Sequence, residues 1–162
     1  MSEEGKRTPL YEWHLSNGAK MGDFGGYEMP LWYASGPKNE HLSVITCAGI
    51  FDTSHMAAIS VSGVGSLELL QRCFTKDLTA CIGPAKKPLM PGRCAYGVFL
   101  DEKGGVIDDA LVYMNHADRF TIIVNAGMGK PVSDHLKEND GSDVQIVDLT
   151  DKLGKIDVQG PQ

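Results

Sequence analysis

No CxxC pair, no HxH or HExxH motif and no Cys/His cluster occurs in the 162 residues, so neither a metal site nor a dithiol redox centre is indicated. The four cysteines, Cys47, Cys73, Cys81 and Cys94, sit near Val44, Ile45, Phe74 and Tyr96, and read as reduced packing residues. The five histidines, His14, His41, His55, His116 and His135, are scattered. Also missing is any apolar run near the roughly 18–20 residues that span a bilayer, and the opening MSEEGKRTPLYEWH is charged where a signal peptide is apolar. Both absences point to a soluble, cytoplasmic protein with no membrane partner. Positive charge is in deficit as well. Fifteen Lys and Arg against 21 Asp and Glu leave a net charge of -6, which argues against a surface built to neutralise nucleic-acid phosphates.

What is present suits one domain with a real core: 162 residues, 42% of them apolar, with no repeat or low-complexity tract. Two independent domains would be a squeeze. Gly22 to Pro30 and Gly83 to Gly92 read as flexible connections. Thr8 and Pro9 signal a helix to about Asn17, with Thr8 as its cap, and a second helix runs from Pro37 to about Cys47 with Leu42, Ile45 and His41 as inward candidates. Ala58 to Ser62 alternates like a strand, and Val64 to Phe74 places Leu67, Leu70 and Phe74 on one helical stripe. Strands follow at Cys94 to Leu100, Gly105 to Tyr113 and Phe120 to Asn125, separated by the turn signals DEKGG and NHAD. A helix over Lys130 to Glu138 and strands over Val144 to Leu149 and Ile156 to Gln159 complete the chain. This order predicts an α+β fold: an antiparallel or mixed sheet with flanking helices and split β-α-β, ferredoxin-like elements. Gly22, Gly25 and Gly26 do not form the GxGxxG of a dinucleotide fold.

The strand Gly105 to Tyr113 carries two adjacent carboxylates. Alternation puts Val106, Asp108, Ala110 and Val112 on one face, and Ile107, Asp109, Leu111 and Tyr113 on the other. Both faces are otherwise apolar or aromatic, so at least one Asp enters a partly dry environment, where an unpartnered carboxylate costs several kcal/mol. The pair can serve a bulge or backbone amides, or it can be a ligand-binding or catalytic carboxylate. Asp52, Ser54 and His55 in FDTSHM invite a triad reading, but three residues so close on one segment cannot readily align nucleophile, base and orienter, and a structural role is favoured.

Taken with TPLYEWHLSNGAKMGDFGGYEMPLWY, EHLSVITCAGIFDTSHMAAISVSG, PGRCAYGVFLDEKGGVIDDALVY, IIVNAG and VQGP, these residues resemble the N-terminal part of the aminomethyltransferase (T-protein) family of the glycine cleavage system. The segments fall in family order and cover nearly the whole chain. The resemblance implies tetrahydrofolate as co-substrate, a lipoyl-carrying H-protein as partner, and transfer of an aminomethyl carbon to the folate with release of ammonia. It implies that Asp109 is the catalytic carboxylate beside the folate N5, that Tyr96, Tyr113 and Asn125 line the folate site, and that Met56 contacts the pterin or the lipoyl arm. From the residues alone Tyr96 reads rather as an aromatic core residue, Tyr113 as a packing tyrosine and Asn125 as a strand-end turn residue, while Met56 is as readily a core methionine.

Family chains run well beyond this length, so residues 1–162 read as a single N-terminal folate-binding domain without the C-terminal half, offering one wall of the site. Departures from the family pattern fall at Ile45, Ala57, Lys76 and the KKPLM segment. They keep two alternatives open: a truncated, non-catalytic folate-binding or interaction module, and a folate-dependent demethylase of the same superfamily. An uncovered apolar face predicts self-association.

Overall fold

A computed structural model describes residues 5–141 and 144–162, and their backbone contacts divide the chain into two compact units, Met1–His55 with Lys152–Gln162, and Met56–Asp151.

In the first unit the elements are β1 (Lys6–Arg7), α1 (Tyr11–Ser16), β2 (Lys20–Phe24), β3 (Tyr27–Trp32), α2 (Gly36–Thr46) and β4 (Gly49–Asp52). The stretch expected to be a flexible connection is instead a hairpin: β2 pairs antiparallel with β3, and β1 adds to β3 in parallel. Its cause is local. Gly25 and Gly26 take φ of 61° and 81°, the two positive values that a tight two-residue hairpin turn requires, and Tyr27 and Met29 turn one face of β3 inward.

Two further expectations fail in this unit. Thr8 does not cap α1, whose start at Leu10 has no side-chain cap; its hydroxyl donates to Asp52 at 2.7 Å instead. Nor do Leu42 and Ile45 face inward, being 42% and 55% exposed on a helix with no buried residue.

The second unit follows the expected order closely: β5 (Ala57–Ser62), α3 (Ser66–Cys73), β6 (Arg93–Leu100), β7 (Val106–His116), β8 (Arg119–Val124), α4 (Gly129–Glu138) and β9 (Gln145–Asp148). A short 3-10 turn, Thr150–Lys152, follows β9; β10 (Ile156–Gln159) belongs to the first unit and pairs there antiparallel with β4. The sheet of the second unit has the order β6-β7-β8-β5-β9, with every ladder antiparallel.

Period-two alternation explains this sheet. Ile59 and Val61 of β5, Phe99 of β6, Val112 of β7, and Phe120, Ile122 and Val124 of β8 lie on one face, all fully buried. With them pack Leu69 and Leu70 of α3 and Val132 and Leu136 of α4, so the core is one helix-covered sheet face. Helix α3 is shorter than its apolar stripe suggests. Phe74 has already turned extended, bridges to Phe99 and packs against it with the rings tilted by 46° and their centroids 5.1 Å apart, while Leu67 is left at the margin.

The cysteines divide. Cys73 is buried in α3 and Cys81 half-buried, but Cys47 and Cys94 are exposed and do not pack in a core.

Under the Phe74 ring lies Gly97, where an added Cβ would stand 2.6 Å from Cζ and 3.0 Å from Cε1 of a ring that is itself buried. Gly97→Ala is therefore expected to destabilise the second unit by about 1–3 kcal/mol, the usual range for overpacking. Urea unfolding followed by circular dichroism checks this, and an unchanged midpoint would contradict the packing described.

Candidate functional site

On β7 the register fixes what its two carboxylates face. Asp109 is paired with Val98 of β6, Asp108 with Phe99, and Ala110 with Val124, the last residue of β8. Asp108 thus shares the helix-covered face with Ala110 and Val112 and is 8% exposed, whereas Asp109 is half-buried on the opposite face. The expectation of a dry carboxylate is met by Asp108, the residue to which the family resemblance gives no role.

Asn125 joins the two. It leaves the ladder one step beyond Val124, at the end of the sheet where the pair sits. Its backbone N–H donates to Asp108 Oδ2 at 2.8 Å, and its Nδ2 donates to Asp108 Oδ1 and to Asp109 Oδ1, each at 2.8 Å. Carboxylates only accept, so these bonds determine which end of the Asn125 amide is nitrogen. Tyr96 completes the cluster from β6, its hydroxyl donating to Asp109 Oδ2 at 3.0 Å. That hydrogen bond is the first cause holding the Tyr96 phenol above its ordinary value, followed by the charge of Asp109, burial, and the charge of Asp108.

Each Asp109 oxygen accepts one hydrogen bond in this cluster, and a carboxylate offers about four lone-pair sites, so capacity remains on the open face. Around it on that face are half-buried Val98, Ile107 and Leu111. Met56 is half-buried in the bend just before β5, and since Ala57 pairs with Val124, it leaves the sheet at the same end as Asn125. Tyr113 shares the face but lies four residues along β7, about 13 Å at ~3.3 Å per residue, opposite Cys94 and Thr121. The structure therefore unites Tyr96, Asp109 and Asn125 by hydrogen bonds, with Met56 at the same end and Tyr113 farther up the sheet. Lys76, one departure from the family pattern, is exposed and follows Thr75, which exchanges two 3.0 Å hydrogen bonds with Val98, the neighbour of Asp109. Ala57 is buried on the helix-covered face.

Within the first unit, the Asp52-Ser54-His55 segment forms no relay. Asp52 Oδ2 accepts from Thr8 Oγ1 at 2.7 Å and from His14 Nε2 at 2.9 Å, and its Oδ1 accepts from the Ser54 N–H at 2.9 Å. In the neutral ring, His14 Nε2 donating to the carboxylate leaves Nδ1 to accept from the Tyr33 hydroxyl at 2.7 Å. His55 turns away: its buried Nδ1 has no hydrogen-bond partner among the described residues, and its ring lies edge-on to Phe24 at 5.3 Å. Burial pushes both His55 and the nearby Lys155 amine down, with the charge of Asp52 opposing the shift in each. This Tyr33-His14-Asp52 lock escaped the sequence reading, since a helical histidine among scattered ones carries no signal of its partner 38 residues on.

Two outcomes follow. Asp109→Asn should let Tyr96 ionise at lower pH than in the unaltered chain, measured by spectrophotometric titration with Tyr96→Phe identifying the step; an unmoved midpoint would contradict the Tyr96-Asp109 bond. For Asp52, burial pushes the carboxyl up, but the hydrogen bonds from His14, Ser54 and Thr8 outweigh it and the net shift is down from 3.8. Its contribution to stability is thus complete above that ordinary value and is lost as pH falls through the lower folded one. His14→Ala, which leaves the buried carboxylate short of a donor, should cost on the order of 3 kcal/mol at neutral pH, and less in acid. Thermal melts across the acid range measure this, and a cost that does not shrink would refute the assignment.

Comparison with known proteins identifies the family. The family described as the GCVT N-terminal domain matches residues 10–162. An aminomethyltransferase of Bacillus subtilis (strain 168) is 40% identical over 157 residues, covering 97% of this chain and 41% of that protein. One from Pseudomonas syringae pv. tomato is 40% identical over 159 residues, covering 98% and 41%. The crystal structure of the glycine cleavage system aminomethyltransferase T from Bartonella henselae superposes with a TM-score of 0.84 at 35% identity, covering 97% of this chain and 41% of that one. The chain spans about two fifths of the length of these relatives.

Proposed function

The chain belongs to the GCVT N-terminal domain family, and we propose that its second unit carries the carboxylate wall of a tetrahydrofolate-dependent aminomethyltransferase, with Asp109 as the catalytic group. The observation that carries this reading is the Asp109 carboxylate, half-buried on an open sheet face and gripped by Tyr96 and Asn125 with accepting capacity to spare.

The residues present suit a reduced folate. A flat ring with an amine at its edge needs apolar surface and one acceptor of fixed direction, which Val98, Ile107, Leu111 and Asp109 supply together. Tetrahydrofolate, when bound, supplies the amine that accepts the one-carbon unit. Asp109 supplies negative potential where positive charge develops as the aminomethyl carbon leaves its sulfur, and it does so without reorganising, because both oxygens are already held. Tyr96 and Asn125 orient that carboxylate, while Met56 and Tyr113 extend the ligand surface at the strand end and along β7. The carbon donor in this reading is an aminomethylated lipoyl arm on an H-protein. A cytoplasmic setting fits four free thiols, and among the described residues no helix is long and apolar enough to cross a membrane.

A second reading, folate binding or self-association without turnover, draws support from the first unit, where Ile45, Ile50 and Val158 are 55%, 73% and 69% exposed. Light scattering on the eluting peak tests the association directly.

The discriminating experiment supplies tetrahydrofolate and an aminomethylated carrier and measures ammonia. The chain is expected to release it, and Asp109→Asn to lower the rate about 100-fold or more, as removal of a preorganised electrostatic group does. Folate binding without ammonia release favours the second reading, and equal rates with Asp109→Asn would overturn the role of that residue.

A further inference from the structure

Asp108 has no place in the chemistry described so far, yet its setting is costly. It is 8% exposed on the face that the helices cover, in line with Ala110 and Val112, where an apolar side chain would avoid the desolvation of a carboxylate. Its two oxygens grip a single residue at two points, the backbone N–H and the side-chain amide of Asn125, each at 2.8 Å. A terminal amide torsion is otherwise broad, and this two-point grip leaves it one orientation. In that orientation the other hydrogen on Nδ2 runs to Asp109 Oδ1. The field of Asp108 also reaches the far side of the cluster, as the smallest of the causes that raise Tyr96.

We propose that Asp108 is a positioning residue: by fixing the Asn125 amide it aims one N–H at Asp109, and so sets the direction in which Asp109 presents its remaining lone pairs. The proposal rests on the reading of Asp109 as the folate carboxylate for its purpose, but not for its geometry. Asp108 acts through Asn125 and touches no ligand. The adjacent pair thus divides the work, one carboxylate holding the device that orients the other.

The test has one arm that needs no folate. In the unaltered chain, NMR should show both side-chain amide protons of Asn125 protected from solvent exchange, about tenfold or more relative to a free asparagine amide; unprotected protons would overturn the proposal without any variant. In Asp108→Asn, with folding verified by the backbone amide spectrum, the proton directed at Asp109 should lose that protection, and its retention would overturn the proposal. The second arm measures binding of 5-methyltetrahydrofolate. Asp108→Asn should weaken it about tenfold, the scale of one charge-assisted hydrogen bond, and the double variant with Asp109→Asn should bind no worse than Asp109→Asn alone. Additive losses would mean that Asp108 serves stability only. If the unaltered chain binds no reduced folate, the functional reading fails, and amide exchange alone decides on Asp108.

Discussion

The antiparallel register that pins β7 between β6 and β8 is the constraint on which the rest depends. Side chains alternate with a period of two, so adjacent carboxylates on a strand must face opposite ways. Val98 opposite Asp109, and Val124 opposite Ala110, fix which way. A slip of one residue would put Asp109 under the helices and Asp108 on the open face, reversing every contact of the cluster. Val112 and Ala110, buried on β7 among Phe99, Phe120, Ile122 and Val124, resist that slip, because both would leave the core with it. Core packing and site geometry in this unit are thus one property of the same ladders.

Two aspartates show how partner count separates a structural carboxylate from one poised for chemistry. Asp52 has a side chain 1% exposed and accepts from Thr8, His14 and Ser54, which ties three segments of the first unit together. Its capacity is nearly spent. Asp109 accepts from Tyr96 and Asn125 while half-buried on an open face, so it is held still with acceptor sites left over. Preorganisation with unspent capacity is what electrostatic stabilisation of a developing charge requires.

The second unit was legible in the sequence to within a residue or two, except that β7 runs three residues past the expected Tyr113 to His116, because β5 to β9 alternate cleanly and DEKGG and NHAD mark the turns. The first unit was less so, for particular reasons. Its hairpin strands are short, and the Gly25-Gly26 turn between them resembles a flexible loop in composition while acting as a tight one. Leu42 and Ile45 have the spacing of an inward stripe but remain exposed, since periodicity says which residues share a side and not whether anything covers it. In the site, alternation separated Asp108 from Asp109, and the family resemblance singled out Asp109. What neither supplied was the Asn125 bridge, which depends on where β8 ends relative to β7, a matter of register across 16 and 17 residues of chain.

The central claim is that Asp109, held by Tyr96 and Asn125 on the open face of the sheet, is the carboxylate that meets a reduced folate. A crystal structure of the chain soaked with 5-methyltetrahydrofolate tests it most directly. The account predicts the pterin on the face of Val98, Ile107 and Leu111, with N5 nearer to the Asp109 carboxylate than to any other charged group. A pterin bound on another surface, with Asp109 left facing solvent, would contradict it.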